Sequence, residues 1–131
     1  DMSSSFQISK DNSKMKFSRT GTFADLLVRY IRERKGGDAP SVYAVAQIDR
    51  RTYSSIVSNP FRIVSKRTAI LFALALGLGR SETDRLLLAA GYALSPALPE
   101  DRILAESIAA GECDVYKINA RLVAQGVRSI L

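Results

Sequence analysis

The apolar positions of this chain recur at the spacing of amphipathic helices, and no segment shows the strict alternation of a half-buried strand. The clearest segment lies between a capping-box start at Thr22 and Asp25 and a stop at Gly36-Gly37. Its apolar residues occupy positions i, i+3, i+4, i+7 and i+8, and they are Phe23, Leu26, Leu27, Tyr30 and Ile31. This pattern predicts a helix with one buried face.

Capping and turn signals divide the rest of the chain into six further predicted helices. They are Ser41–Gln47, Arg50–Ser58 after a cap at Asp49, Lys66–Leu76 after a cap at Ser65, a helix opened by Ser81 with Asp84 and running through Ala90, a helix beginning at Pro99, and Val115–Gln125 after a cap at Asp114. Residues 61–64 are a predicted connector. The predicted fold class is therefore all-α, with five helices followed by two further C-terminal helices.

The chain divides into three predicted regions. Residues 1–20 contain six serines and no periodicity, so we expect a flexible Ser/Lys-rich tail. Residues 21–94 form the five-helix domain, and residues 95–131 form a C-terminal helical extension. We expect the extension to pack on the domain or, alternatively, to form a homodimer, through the apolar residues Ile103, Leu104, Ile108, Val115, Ile118 and Leu122.

The residue types that are scarce narrow the chemistry. The chain has no histidine, which excludes His general bases and His-ligated zinc, and its single cysteine, Cys113, fits a reducing cytosol. The longest apolar run, residues 68–79, spans twelve residues. A membrane helix needs about 20. We therefore expect a cytoplasmic protein, nucleoid-associated if it binds DNA, with no enzymatic activity, cofactor, metal or membrane partner.

The net charge of +6 is concentrated in one part of the chain. Residues 21–67 carry nine basic and four acidic groups, whereas residues 68–131 carry six basic and seven acidic groups. A local positive field of this kind attracts phosphate backbones, although many proteins that never touch nucleic acid have one as well.

The predicted helix 50–58 lies inside this basic region and has two different faces. Its apolar face contains Tyr53, Ile56 and Val57. Its other face begins with two arginines and continues with short polar side chains, namely Arg50, Arg51, Ser54, Ser55 and Ser58. A helix that enters a DNA groove needs long donors at its tip and small residues behind them. A solvated surface helix has the same composition, so this helix alone leaves both interpretations open.

The order of the parts around this helix resembles the helix-turn-helix domain of the phage lambda-repressor/Cro superfamily, in a divergent bacterial form. The resemblance covers about residues 22–92 and rests on YAVAQIDRRTYSSI, TAILFALALGL and ETDRLLLAAGY. It implies a transcriptional regulator that reads the major groove of double-stranded DNA with helix 50–58. It further implies base contacts by Arg50, Arg51, Thr52 and Ser55, and phosphate contacts by Arg62, Lys66 and Arg67.

Two departures from the family pattern support an alternative. Tyr43 stands where the family has a small alanine, and Gln47 stands where its turn has a glycine. These residues favour an adaptor of the same fold that binds a protein partner rather than DNA.

Non-specific binding of single-stranded nucleic acid is a third hypothesis. It is weakened because the aromatic residues it needs on the surface, such as Phe23, Tyr30 and Tyr53, are predicted to be buried. A homodimer would place two recognition helices ~34 Å apart.

Overall fold

The computed structural model of the protein describes residues 22–59 and 61–131, and within these ranges it contains seven helices and no strand. The helices are α1 (Phe23–Lys35), α2 (Ala39–Val45), α3 (Arg50–Ser58), α4 (Lys66–Ala75), α5 (Arg80–Ala89), α6 (Pro99–Ala109) and α7 (Val115–Ala124). The all-α prediction is confirmed for this part of the chain. The predicted tail, residues 1–20, lies outside the described residues.

Side-chain caps begin five of these helices because the first backbone N–H groups of a helix have no partner within it. Thr22, Asp49, Ser65 and Asp114 each accept a hydrogen bond from a backbone N–H two or three residues later, and their prediction as caps is confirmed. Asp38 caps α2 in the same way.

Two predicted helix starts differ from the structure. Helix α2 begins at Ala39 instead of Ser41, because Asp38 accepts the Ser41 N–H and so places Ala39 in the first turn. Helix α5 does not begin with a capping box at Ser81. Its cap position is Gly79, which has no side chain to cap with, and Asp84 accepts a hydrogen bond from Arg80 Nε at 3.0 Å instead.

Helix α4 lies at the centre of the core. All six residues from 69 to 74 are buried, which explains why this segment is apolar on every side. Helices α2, α5 and α7 pack against α4, while α1 packs against α2, α3 and α5. None of the described helices combines the length and the apolarity needed to cross a bilayer.

The C-terminal extension shares this core. Helix α7 packs on α4, and α6 packs on α5. Of the apolar residues predicted to pack or dimerise, Ile103 is half-buried, and the others are buried within the same cluster, namely Leu104, Ile108, Val115, Ile118 and Leu122. A polar anchor adds to these contacts: Asp101 of α6, only 2% exposed, accepts hydrogen bonds from Lys66 Nζ and from the Ser95 N–H, both at 2.7 Å.

Candidate functional site

Helix α3 turns one face to the core and one to solvent. Ile56 is buried, and Tyr53 and Val57 are half-buried. The Tyr53 ring lies 5.1 Å from the ring of Tyr43 on α2 and 6.3 Å from that of Phe72 on α4. Burial and the neighbouring Tyr43 raise the pKa of Tyr53. This aromatic stack fixes the position of α3 against α2, so Tyr43 serves as packing surface between the two helices.

The exposed face of α3 carries most of the residues that were predicted to contact DNA bases. Arg50, Arg51 and Ser55 are exposed, and Thr52 is half-buried at the edge of this face. An α-helix has about 3.6 residues per turn, so Arg51 and Ser55 lie on the same side of α3, one turn apart. The structure therefore presents two long cationic donors at the tip of α3 with a short hydroxyl side chain behind them.

Asp49 holds the first turn of α3 in place. Its Oδ1 accepts the Thr52 N–H at 3.0 Å. Hydrogen bonds from Thr52, with the charge of Arg51 nearby, hold the pKa of this carboxyl below its usual value. The cap involves Asp49 and Thr52, and it leaves the side chains of Arg50 and Arg51 exposed.

The three residues predicted to contact phosphate have different surroundings. Arg62 is exposed, and its Nη1 donates to the Thr52 carbonyl at 3.2 Å, which brings the connector beside the first turn of α3. Arg67 is exposed in the first turn of α4. Lys66 is half-buried and its charge is paired with Asp101. The candidate surface that we define from these residues therefore consists of Arg50, Arg51, Ser55, Arg62 and Arg67.

No carboxylate stands among these cations in the sequence. After Asp49 the next acidic residue is Glu82, and the residues between them include six cations: Arg50, Arg51, Arg62, Lys66, Arg67 and Arg80. Asp49 accepts the Thr52 N–H and Asp101 pairs with Lys66, whereas Glu100 of α6 lines the same cavity as Lys66 and Arg67. The four exposed arginines make the candidate surface cationic.

The connection between α2 and α3, residues 46–49, contains a residue in an unusual conformation. Gln47 has a φ of 62°, and it is the only non-glycine residue with a positive φ among the described residues. Its Nε2 donates to the hydroxyl of Tyr116 on α7 at 2.5 Å. The contact between Gln47 and Tyr116, which lie far apart in the chain, was not predicted from the sequence.

Two apolar side chains beside the candidate surface were also missed from the sequence. Phe61 is 70% exposed and Ile63 is 86% exposed, although both lie in the short connector between α3 and α4. The run Phe-Arg-Ile-Val carries no local signal of this difference, because Val64 in the same run is buried.

The described residues contain no group of three or more His, Cys, Asp or Glu side chains that could hold a metal ion. Cys113 is exposed and free of disulfide bonding. The candidate surface carries arginines and hydroxyls, which bind anions and hydrogen-bond acceptors.

Comparison of the chain with protein-family models, with curated proteins and with solved structures gave no match. The geometry and charge of the candidate surface are therefore the basis for assigning a function.

Proposed function

We propose that this protein binds double-stranded DNA through the candidate surface, with α3 lying in the major groove as the recognition helix of a divergent lambda-repressor-like helix-turn-helix domain. One observation supports this most: the exposed face of α3 has two arginines at its tip and small hydroxyl residues behind them, within a stretch that lacks carboxylates. Arginine at such a tip matches the acceptor pair of guanine in the major groove.

In this proposal the residues have separate roles. Arg50, Arg51 and Ser55 contact base edges, and Thr52 contacts the duplex from the edge of the same face. Arg62 and Arg67 contact phosphates, which set affinity and orientation rather than sequence preference. Lys66 is left to its partner Asp101, because separating a buried carboxylate from its cation is costly. The biological role proposed is that of a transcriptional regulator rather than an enzyme.

The test compares two arginines that occupy the same place in two helices. Arg50 is the first residue of α3, and Arg80 is the first residue of α5. Wild type, an Arg50→Ala/Arg51→Ala variant and an Arg80→Ala variant are each allowed to select from a randomised duplex pool at near-physiological salt. We expect wild type and Arg80→Ala to enrich the same motif and the double variant to lose it, since each base-specific pair contributes ~1–3 kcal/mol.

Salt dependence separates this proposal from the alternative of a protein-binding adaptor. Duplex binding through phosphates is expected to weaken linearly in log K against log salt, with a slope of about −0.9 per phosphate neutralised. If all three folded proteins fail to retain any duplex, the DNA-binding proposal is wrong, and the same surface is then to be tested with protein partners.

A further inference from the structure

The connector between α3 and α4 holds two apolar side chains out into solvent. Phe61 is 70% exposed and Ile63 is 86% exposed, the largest exposures among the big apolar residues flanking α3. Exposing such side chains has no benefit for folding, because burying apolar area is what stabilises a fold. A contact outside this chain would remove them from water.

Hydrogen bonds connect residues 62 and 64 of the connector to other parts of the protein. The Tyr92 hydroxyl donates to the Val64 carbonyl at 2.8 Å, and Arg62 Nη1 donates to the Thr52 carbonyl at 3.2 Å. Asn59 adds a turn at the start of the segment, since its carbonyl accepts the Arg62 N–H at 3.0 Å. Val64 is buried beneath the connector, while Phe61, Arg62 and Ile63 are exposed on it.

The surroundings of the pair favour an anionic partner. Arg62 separates the two residues in the chain, Arg67 follows them, and the Arg62–Thr52 contact brings the connector beside the tip of α3. Protein–DNA interfaces are more polar and more positively charged than protein–protein interfaces. Two apolar side chains among arginines match that composition better than the apolar centre of a protein interface, which is depleted of charge.

We propose that Phe61 and Ile63 make apolar contact with the duplex beside α3, a proposal that rests on the proposed function. Duplex DNA offers apolar groups of two kinds at such a position: the methyl groups of thymine in the groove, and the carbon atoms of the deoxyribose along its edge. Both would cover the pair while the arginines around it contact phosphates.

Salt dependence distinguishes an apolar contact from a charged one. A contact by Phe61 or Ile63 displaces no counterion, so its loss lowers affinity and leaves the slope of log K against log salt unchanged. Loss of a phosphate contact by Arg62 lowers affinity and reduces that slope by about 0.9. The two kinds of variant therefore differ in slope even where their affinities at one salt concentration are equal.

The experiment measures binding of the full chain to the motif duplex selected by wild type, over a range of salt. The variants are Phe61→Ser/Ile63→Ser and Arg62→Gln, with Leu88→Ser as the control. Leu88 is also a large exposed apolar residue, at 72% exposure, but it lies on α5, which packs against α1, α4 and α6. We expect binding weakened on the order of tenfold for Phe61→Ser/Ile63→Ser at an unchanged slope. We expect no change for Leu88→Ser. Thermal unfolding of each variant confirms that it is folded.

A second probe distinguishes the two apolar sources. Deoxyuridine in place of thymidine removes the methyl groups alone. If the replacement weakens duplex binding by wild type and not by Phe61→Ser/Ile63→Ser, the pair contacts the thymine methyl groups. If it changes the duplex affinity of both proteins equally, the pair contacts deoxyribose.

Each contrary result has a separate meaning. If Phe61→Ser/Ile63→Ser binds the duplex as wild type does while Arg50→Ala/Arg51→Ala does not, the apolar contact is overturned and the proposed function stands. If in addition these serines abolish self-association in sedimentation, or binding to anionic vesicles, the pair serves a second copy of the chain or a lipid surface. If wild type binds no duplex, both proposals fail together.

Discussion

The connection between α2 and α3 and the connection between α4 and α5 follow the same backbone path with different side chains. Each spans four residues, 46–49 and 76–79, and each turns through a residue with positive φ, 62° at Gln47 and 66° at Gly77. The hydrogen bonds correspond as well, because Ile48 N–H donates to the Tyr43 carbonyl and Leu78 N–H donates to the Ala73 carbonyl, five residues back in each case.

The two connections differ in their side chains. The first places Gln, a residue with a Cβ, where the left-handed conformation favours glycine, and it adds a side-chain cap at Asp49. The second uses glycine at both positions, Gly77 and Gly79. Since the backbone path is the same, the extra polar side chains of the first are not required by the turn itself. They connect it to Tyr116 on one side and to the tip of α3 on the other.

The largest stability effect is expected when the glycine of the second connection is replaced. Gly77→Ser is expected to lower the free energy of unfolding by about 1–2 kcal/mol, because a Cβ is strained at positive φ. Crowding is not the cause, since the nearest atom to an added Cβ is Cys113 Sγ at 4.0 Å. Urea unfolding measures the change.

Gly79→Ser is the matched control for this substitution. Gly79 has a φ of −75°, which any residue adopts, and no atom lies within 4 Å of an added Cβ. We expect no loss of stability and a gain of a few tenths of a kcal/mol from the new cap. Equal losses at the two positions would show that φ is not what distinguishes them.

A double-mutant cycle tests whether Tyr116 stabilises Gln47 in its left-handed conformation. In a Tyr116→Phe background, Gln47→Gly is expected to raise the free energy of unfolding by about 1 kcal/mol, because it relieves the strain with no hydrogen bond left to lose. In wild type the same substitution also removes the bond to Tyr116, so we expect a change near zero. An equal gain in both backgrounds would mean that the Gln47–Tyr116 bond contributes nothing.

The smallest effect concerns the pH dependence of the α3 cap. The pKa of Asp49 is held below its usual value of 3.8 by the Thr52 hydrogen bonds, so the cap stabilises the fold above that pH. Its contribution is lost as the pH falls through the lowered pKa of the folded state. The Asp49→Asn variant keeps a side-chain oxygen that can cap the helix but does not titrate at acid pH. Between pH 5 and pH 2 its urea denaturation midpoint is expected to fall less than that of wild type, and the difference between the two proteins reports the loss of this one cap. Parallel acid profiles for the two proteins would contradict this.

The local parts of the fold were predictable because their causes lie within a few residues. A hydroxyl or carboxylate three residues before a free N–H is visible in the sequence, and so the caps at Thr22, Asp49, Ser65 and Asp114 were predicted correctly. Ser81 failed the same rule, because glycine at position 79 can cap without a side-chain bond and the helix begins two residues earlier.

The candidate surface was predictable in part, and its outcome shows where sequence reasoning ends. The exposure of Arg50, Arg51 and Ser55 followed from helical periodicity around the buried Ile56. The pairing of Lys66 did not, because its partner Asp101 lies 35 positions away on α6. A lysine in a basic stretch gives no local sign that a distant carboxylate neutralises it.

The helical character of the described chain, most of its helix starts and the polar face of α3 were predictable from the sequence, since these depend on contacts within one turn or one connection. Tertiary structure alone decided the pairing of Lys66 with Asp101, the contact of Gln47 with Tyr116, and the exposure of Phe61 and Ile63. The reason is physical: each of these depends on how helices distant in the chain pack around α4, and packing brings together residues whose spacing in the sequence carries no signal.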